Sequence, residues 1–235
     1  MKKRFRLPFH FIYHPWMTEA GSLALGLGLA FGARKALLAF DQHLLTLLPV
    51  ALRLASMVLG HWLLALIPSV LIALQKETFL SYGIQREKTA SQLWTGLYLG
   101  LYLSLVLTLV PLLLGYGRYL TAPRYRENWQ MACNGVYCIF AVALAEEFLF
   151  RGFVFEKLRR LCRFDILALA GSSVLYGLFY WMTTGIPAQA LWAGCLGALF
   201  CLCRLKVKNC TLLSLILFHG FYQALIPVWI AVFGR

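Results

Sequence analysis

Two adjacent glutamates and an arginine lie inside the apolar stretch AEEFLFRGF, residues 145–153. A charged side chain near the centre of a bilayer costs roughly 2.5 to 3.5 kcal/mol on insertion scales, so such residues are kept where they have a task. A carboxylate in a low-dielectric setting can serve as a general base near neutral pH. This stretch is therefore where we look first for chemistry.

Helical spacing separates the roles of the two glutamates. Glu147 and Arg151 are four residues apart with the acid first, which is the better order for an ion pair within a helix. We expect this pair to be structural, because each charge neutralises the other. Glu146 points about 100° away around the helix and has no charged partner at helical spacing, so we predict that it is the general base. The alternative is that Glu146 only caps or hydrogen-bonds a neighbouring helix.

Two later apolar segments also place polar side chains four residues apart. HGFYQ sets His219 and Gln223 on one helix face, where both can donate hydrogen bonds to one oxygen, as an oxyanion hole requires. A lone histidine there more often joins one helix to another. SSVLYGLFYW sets Tyr176 and Tyr180 on one face, but tyrosines near a membrane interface are common, so spacing alone assigns them no role.

The elements that must hold these side chains are predicted to be membrane-spanning helices. The chain has 235 residues, 61% of them hydrophobic and 13% charged, with a mean hydropathy of +0.73. This composition excludes a soluble core and indicates an all-α polytopic bundle of about seven to eight transmembrane helices, in a single integral membrane domain over residues 1–235. The predicted spans are residues 17–33, 54–74, 91–115, 129–150, 165–182, 187–203 and 210–233.

One apolar segment, residues 36–53, is interrupted by Asp41, Pro49 and Arg53. We predict that it forms an interfacial helix or a re-entrant piece, with an eighth span over residues 36–50 as the alternative.

The net charge of +13 is scattered over short loops and not gathered on one soluble face. It therefore argues against a nucleic-acid partner and predicts attraction to anionic membrane lipids. Lysine and arginine are more frequent in the segments expected on the side of the N-terminus, so the N-terminus is predicted to be cytoplasmic. The sequence sets no oligomeric state.

Metal and cofactor chemistry is not predicted. HExxH is absent, and one glutamate with one histidine from distant helices falls short of the three protein ligands that a catalytic zinc usually has. The seven cysteines are an odd number without paired CxxC spacing, which favours free thiols over a disulfide framework.

These motifs, in this order on late helices, resemble those of the CAAX protease and bacteriocin-processing family of intramembrane endopeptidases, also called the Abi family. Glu146, Glu147 and Arg151 match its first motif, EExxxR, in full. SSVLYGLFYW is similar to the second motif, FxxxH, with Tyr180 at the position of the histidine. His219 matches the third motif, HxxxN or HxxxD, with Gln223 at the amide position. The resemblance covers a predicted catalytic core of about residues 129–225.

The resemblance implies roles for these residues. The first glutamate and the second-motif histidine would activate a water that attacks the scissile carbonyl, and the third-motif pair would stabilise the oxyanion. Carried over, Glu146 is the base, Tyr180 occupies the partner position, and His219 with Gln223 forms the oxyanion hole. A phenol does not accept a proton near neutral pH as imidazole does, so Tyr180 is the main departure. His61, inside the second span, is a candidate for the vacant role if the bundle brings it near Glu146; the alternative is a packing residue.

Three functions compete at this point. The first is an intramembrane endopeptidase that cleaves a membrane-anchored, lipidated or prenylated protein or peptide. The second is a catalytically silenced relative that binds a peptide or partner in processing, secretion or immunity. The third is a transporter, which ranks last because no pair of broken helices occupies matching positions in two halves of the chain.

Overall fold

Long helices build the chain, and the computed structural model describes residues 15–44, 47–117, 120, 125 and 127–234. In chain order the helices are α1 Pro15–His43, α2 Val50–Leu74, α3 Thr89–Ser104, α4 Asn128–Tyr137, α5 Leu144–Glu147, α6 Phe155–Cys162, α7 Asp165–Thr184, α8 Pro187–Lys206 and α9 Leu212–Phe233. A short 3-10 helix, Phe79–Tyr82, lies between α2 and α3. These ranges contain no strand, which confirms the predicted all-α class.

Wide π-type turns, in which an amide bonds to the carbonyl five residues back, join several helices end to end. Leu105–Leu109 and Leu112–Tyr116 extend α3. Cys138–Ala143 and Phe148–Val154 link α4, α5 and α6 into one helical run from residue 128 to 162. Such turns often occur at functional sites because they free backbone carbonyls and shift side chains around the helix axis.

Six helices of the described chain are long and apolar enough to cross a membrane. They are Thr18–His43, Leu52–Leu74, Thr89–Tyr116, Asp165–Thr184, Pro187–Lys206 and Leu212–Phe233. The remaining predicted span, residues 129–150, is the first part of the helical run 128–162. The polytopic helical bundle is thus confirmed. The orientation of the N-terminus stays a prediction, and its basic residues Lys2 to Arg6 lie outside the described residues.

The prediction for residues 36–53 is wrong. α1 continues through Asp41 to His43, and the chain turns before α2 starts at Val50, directly after Pro49. The described residues of this segment form no separate span or re-entrant piece. Residues 34–43 are mostly good helix formers without glycine or proline, so α1 continues beyond the apolar residues 17–33 that predicted it.

Two glycines bring α3 against α9, the helix that carries His219. A Cβ added at Gly96 would collide with the carbonyl oxygen of Ser214, and one at Gly100 would lie 2.9 Å from the carbonyl oxygen of Phe218. The GxxxG spacing of the third span therefore serves close helix packing. It fixes the position of α9 relative to the rest of the bundle.

A cluster of charges ties α6 to α1 and to the loop after α2. The Nζ atom of Lys157 lies 2.6 Å from Glu19 and 3.2 Å from Glu77. Arg160 lies 3.1 Å from Glu19 and 2.8 Å from Glu77, and the Tyr82 hydroxyl donates to Glu77. Burial raises the pKa of Glu77, but the hydrogen bonds from Tyr82 and Arg160 and the charge of Lys157 outweigh it and hold the pKa below its usual value.

Candidate functional site

The motif glutamates lie on α5, in the middle of the helical run 128–162. Every residue from 145 to 157 is buried, whereas neighbouring helices bury only one stripe. The other helices therefore pack around this segment, and its polar side chains contact protein and not lipid. Glu146 and Glu147 precede the wide turn Phe148–Val154, which contains Arg151.

Side chains from two other helices satisfy the backbone carbonyls of this wide turn. The hydroxyl of Ser172, on α7, donates to the carbonyl of Phe150 at 2.8 Å. The guanidinium of Arg204, on α8, donates to the carbonyl of Arg151 and to Glu156 at 2.6 Å. A buried carbonyl without a partner is costly, so these bonds hold the turn in place and fix the direction of the glutamates.

Glu147 and Arg151 form the predicted ion pair in full burial. Their Oε1 and Nη1 atoms are 3.2 Å apart and both side chains are shielded from solvent. The guanidinium nitrogens make no aligned hydrogen bond among the described residues. Arg151 lies instead 4.0 Å from the ring centre of Tyr176 and 5.1 Å from that of Phe200. Charge and the faces of two aromatic rings therefore hold it.

His219 joins α9 to the same glutamate. Its Nδ1 atom lies 2.8 Å from Oε1 of Glu147, and its Nε2 atom lies 2.8 Å from the amide nitrogen of Gln223. An amide nitrogen only donates, so Nε2 accepts, and the proton of the neutral ring is on Nδ1 and is donated to Glu147. In this arrangement the two donors predicted for an oxyanion hole are bonded to other protein groups.

Glu146 faces the opposite way, towards α7. The hydroxyl of Tyr176 donates to its Oε2 atom at 2.7 Å, and the hydroxyl of Tyr180 lies 3.2 Å from Oε2 and 3.4 Å from Oε1. Among the described residues Glu146 has no cationic partner within salt-bridge distance, in agreement with its spacing from Arg151. The structure thus brings Tyr180 to Glu146, as the motif order predicts.

Tyr176 is the site residue that sequence reasoning missed. It stands at the aromatic position of the second motif, yet it makes the shorter hydrogen bond to Glu146 and also covers the guanidinium of Arg151. The four-residue spacing between Tyr176 and Tyr180 was the available signal. Once one phenol is assigned to Glu146, the other must lie on the same face of α7.

Two cavities lie beside Tyr180. One has a volume of about 290 Å³ and is lined by Glu146, Tyr180, His61 and other side chains of α1, α2 and α7. The other has a volume of about 520 Å³ and is lined by Tyr176, Tyr180, His219, Gln223 and apolar side chains of α8 and α9. Tyr180 borders both cavities. The six predicted site residues are therefore divided between two neighbouring clusters that share the wall formed by α7.

His61 lies in the wall of the smaller cavity. Its Nδ1 atom is 2.9 Å from the carbonyl oxygen of Met57 and 3.3 Å from the hydroxyl of Tyr137. The His61 and Tyr137 rings meet edge to face, with centroids 5.5 Å apart. The sequence made a role for His61 depend on its lying near Glu146, and both side chains line this cavity.

No group of three or more histidine, cysteine, aspartate or glutamate side chains among the described residues is arranged to hold a metal ion. The seven cysteines are free thiols, three of them buried. The arrangement offers a buried carboxylate beside a cavity and two phenol donors, with a second carboxylate fixed by an arginine and a histidine.

Residues 128–225 match a family model described as Rce1-like, type II CAAX prenyl endopeptidase Rce1-like. No curated protein and no solved structure matches the chain. The match begins at α4 and ends within α9, so it includes both glutamates, both tyrosines, His219 and Gln223 but not His61. It confirms the resemblance drawn from the three motifs.

Proposed function

We propose, from the match of residues 128–225 to the model of Rce1-like type II CAAX prenyl endopeptidases, that this chain hydrolyses a peptide bond of a membrane-anchored or lipidated protein or peptide. The observation that carries the proposal is Glu146, a buried carboxylate beside a cavity, bonded to two tyrosines and paired with no cation among the described residues. Its partners are membrane lipids and a lipid-anchored substrate.

Glu146 removes a proton from a water molecule held in the cavity. The water oxygen forms a bond to the scissile carbonyl carbon, and the carbonyl oxygen becomes an oxyanion. The abstracted proton passes to the amide nitrogen as the carbonyl re-forms and the C–N bond breaks, which leaves a carboxylic acid and an amine. Tyr176 and Tyr180 orient the carboxylate and keep its lone pairs directed at the water.

The second cluster supplies one oxyanion donor, Gln223. Arg151 balances the charge of Glu147, and Glu147 holds His219 by its Nδ1 proton. The side-chain amide of Gln223 can leave its hydrogen bond to His219, because Gln223 is partly exposed in the larger cavity. When substrate enters, its amide exchanges the bond to His219 for one to the oxyanion. Oxyanion donors typically contribute about 10² to 10³ in rate.

A second candidate function is a silenced relative that keeps the fold to bind a peptide or partner. Two observations favour it: Tyr180 stands where a proton acceptor is expected, and His219 and Gln223 are bonded to each other. A general acid–base partner typically contributes a factor of about 10² to 10⁴ to the rate. Loss of this partner therefore leaves either a slow enzyme or an inactive protein.

Mapping of protein termini tests both candidates. Membrane proteins are compared from cells that carry wild type, Glu146→Gln, Tyr180→His or Glu87→Gln at matched expression. Glu87 is exposed in the loop before α3 and is the matched control. A terminus present with wild type and Glu87→Gln but absent with Glu146→Gln supports the endopeptidase. If only Tyr180→His creates a Glu146-dependent terminus, the chain is a silenced member of the family.

A further inference from the structure

The surroundings of Glu146 weaken it as a proton acceptor that acts alone. Two phenol hydroxyls point at its oxygens and draw charge away from them. We propose that His61, on α2, is a catalytic residue that takes over from Glu146 the proton of the attacking water and delivers it to the leaving amine. The inference rests on the proposed function and assigns a role outside the segment that matches the family model.

The cavity gives His61 and Glu146 access to the same water. Both side chains line it, and its volume of about 290 Å³ holds several water molecules. Tyr180 and Thr183 also line this cavity, so its wall offers a water the two to four polar partners that an ordered water needs. One water can donate one proton to the carboxylate and the other to the imidazole.

Hydrogen bonds fix the tautomer that this role requires. The carbonyl oxygen of Met57 only accepts, so the Nδ1 atom of His61 that lies 2.9 Å from it carries the ring proton. The neutral ring then has its lone pair on Nε2. The hydroxyl of Tyr137, 3.3 Å from Nδ1, and the edge-to-face contact of the rings keep the imidazole from rotating away.

The charges of the cavity suit a neutral acceptor that becomes a cation. Protonation of His61 places a positive charge in the cavity that contains the Glu146 carboxylate, and the two attract. Arg34 and Asp41 also line this cavity, but their opposite charges offset each other. The other intramembrane histidine of the site, His219, does not line the cavity that contains Glu146 and His61, and its Nδ1 atom is bonded to Glu147.

Once charged, His61 returns its proton to the amide nitrogen of the substrate. The water oxygen bonds to the carbonyl carbon, the proton that Glu146 removes from the water passes on to Nε2, and the same proton leaves with the amine as the C–N bond breaks. Glu146 is then a carboxylate again and stabilises the imidazolium until the proton leaves.

A purely structural role is separable from this one by substitution. In His61→Asn the side-chain amide keeps a donor close to the position of Nδ1, and so keeps the bond to Met57, but there is no ring nitrogen to accept a proton. Tyr180→His puts an imidazole on α7 within reach of Glu146, because the Tyr180 hydroxyl lies 3.2 Å from that carboxylate. His43→Asn, at the exposed end of α1, is the matched control.

The experiment measures the rate at which the Glu146-dependent terminus accumulates, together with the thermal aggregation midpoint of each purified variant in detergent. We expect His61→Asn to lower the rate by about 10² or more without shifting the midpoint, and His43→Asn to leave both unchanged. Adding Tyr180→His to His61→Asn should recover at least about tenfold.

A rate for His61→Asn within twofold of wild type overturns the inference and leaves the proposed function intact. A loss that Tyr180→His does not recover and that accompanies a lower midpoint shows that His61 only supports the fold. If wild type yields no Glu146-dependent terminus, the proposed function fails, and the inference with it; Glu146→Gln reveals this without any His61 variant.

Discussion

Replacing one partner of the buried ion pair between Glu147 and Arg151 should destabilise the protein far more than replacing both. At a separation of 3.2 Å and an effective dielectric constant of 20, two unit charges attract by about 5 kcal/mol. Much of this attraction offsets the cost of taking both charges out of water. Arg151→Met keeps an unbranched side chain between Tyr176 and Phe200 but leaves the carboxylate of Glu147 without its cation.

We expect Arg151→Met to lower the free energy of unfolding by about 3 to 5 kcal/mol, the range for a buried pair that loses one partner. Glu147→Leu alone should cost a similar amount, because it strands the guanidinium and also removes the acceptor of the His219 bond. The double variant should cost less than either single change, since no unpaired charge remains.

The assay is reversible unfolding in mixed micelles, read by circular dichroism at increasing denaturing detergent, with the four proteins treated as a double-mutant cycle. Lys35→Met, on the described surface of α1, is the control for loss of an exposed cation. Additive costs, with the double variant the least stable of the set, would refute the reasoning. They would show that the pair is held by packing against the rings and not by charge.

Three further changes test other parts of the structure. Tyr176→Phe removes the 2.7 Å hydrogen bond to Glu146 but keeps the aromatic ring. The rate of terminus formation should fall, and the free energy of unfolding should fall by about 1.5 to 3 kcal/mol. If neither quantity changes, the hydrogen bond between Tyr176 and Glu146 does not contribute to activity or stability. Gly96→Ala should destabilise the bundle by about 1 to 3 kcal/mol, because the added methyl group collides with α9. Gly28→Ala is the control and should leave the stability unchanged in the same unfolding assay, because the space around Gly28 is open. The pKa of Glu77 is lower in the folded protein than its usual 4.5, so its contribution to stability is complete above about pH 4.5 and is lost as the pH falls below that value and through the folded pKa. Between pH 7 and about pH 3, melting midpoints should therefore fall more for wild type than for Glu77→Gln, and parallel curves would contradict this.

Spacing along a single helix predicted contacts that the structure contains. The Glu147–Arg151 pair follows from a separation of four residues, and the different direction of Glu146 follows from a rotation of about 100° per residue. His219 and Gln223 share a face for the same reason. These relations survive in the fold because a helix fixes the angle between its own side chains whatever packs around it.

Relations between helices were less accessible. His219 and Gln223 were predicted to aim at one oxygen, but the structure bonds His219 to Glu147 and Gln223 to His219. No intrahelical rule states which glutamate α9 meets, because that depends on how α9 packs against the helical run 128–162. The extent of α1 was also missed, since hydropathy marks where a helix is apolar and not where it ends.

The wide turns explain why a motif on one helix can serve two clusters. In a regular α-helix, residues 146 and 147 diverge by about 100°, which alone does not determine what each of them contacts. The turn Phe148–Val154, which follows α5, leaves carbonyls that Ser172 and Arg204 satisfy, so α7 and α8 pack against this end of the segment. α7 thereby brings Tyr176 and Tyr180 to Glu146, while α9 brings His219 to Glu147. The adjacent glutamates thus divide the work: Glu147 is locked into the fold by a cation, and Glu146, bordering a cavity that also contains His61, is left for chemistry.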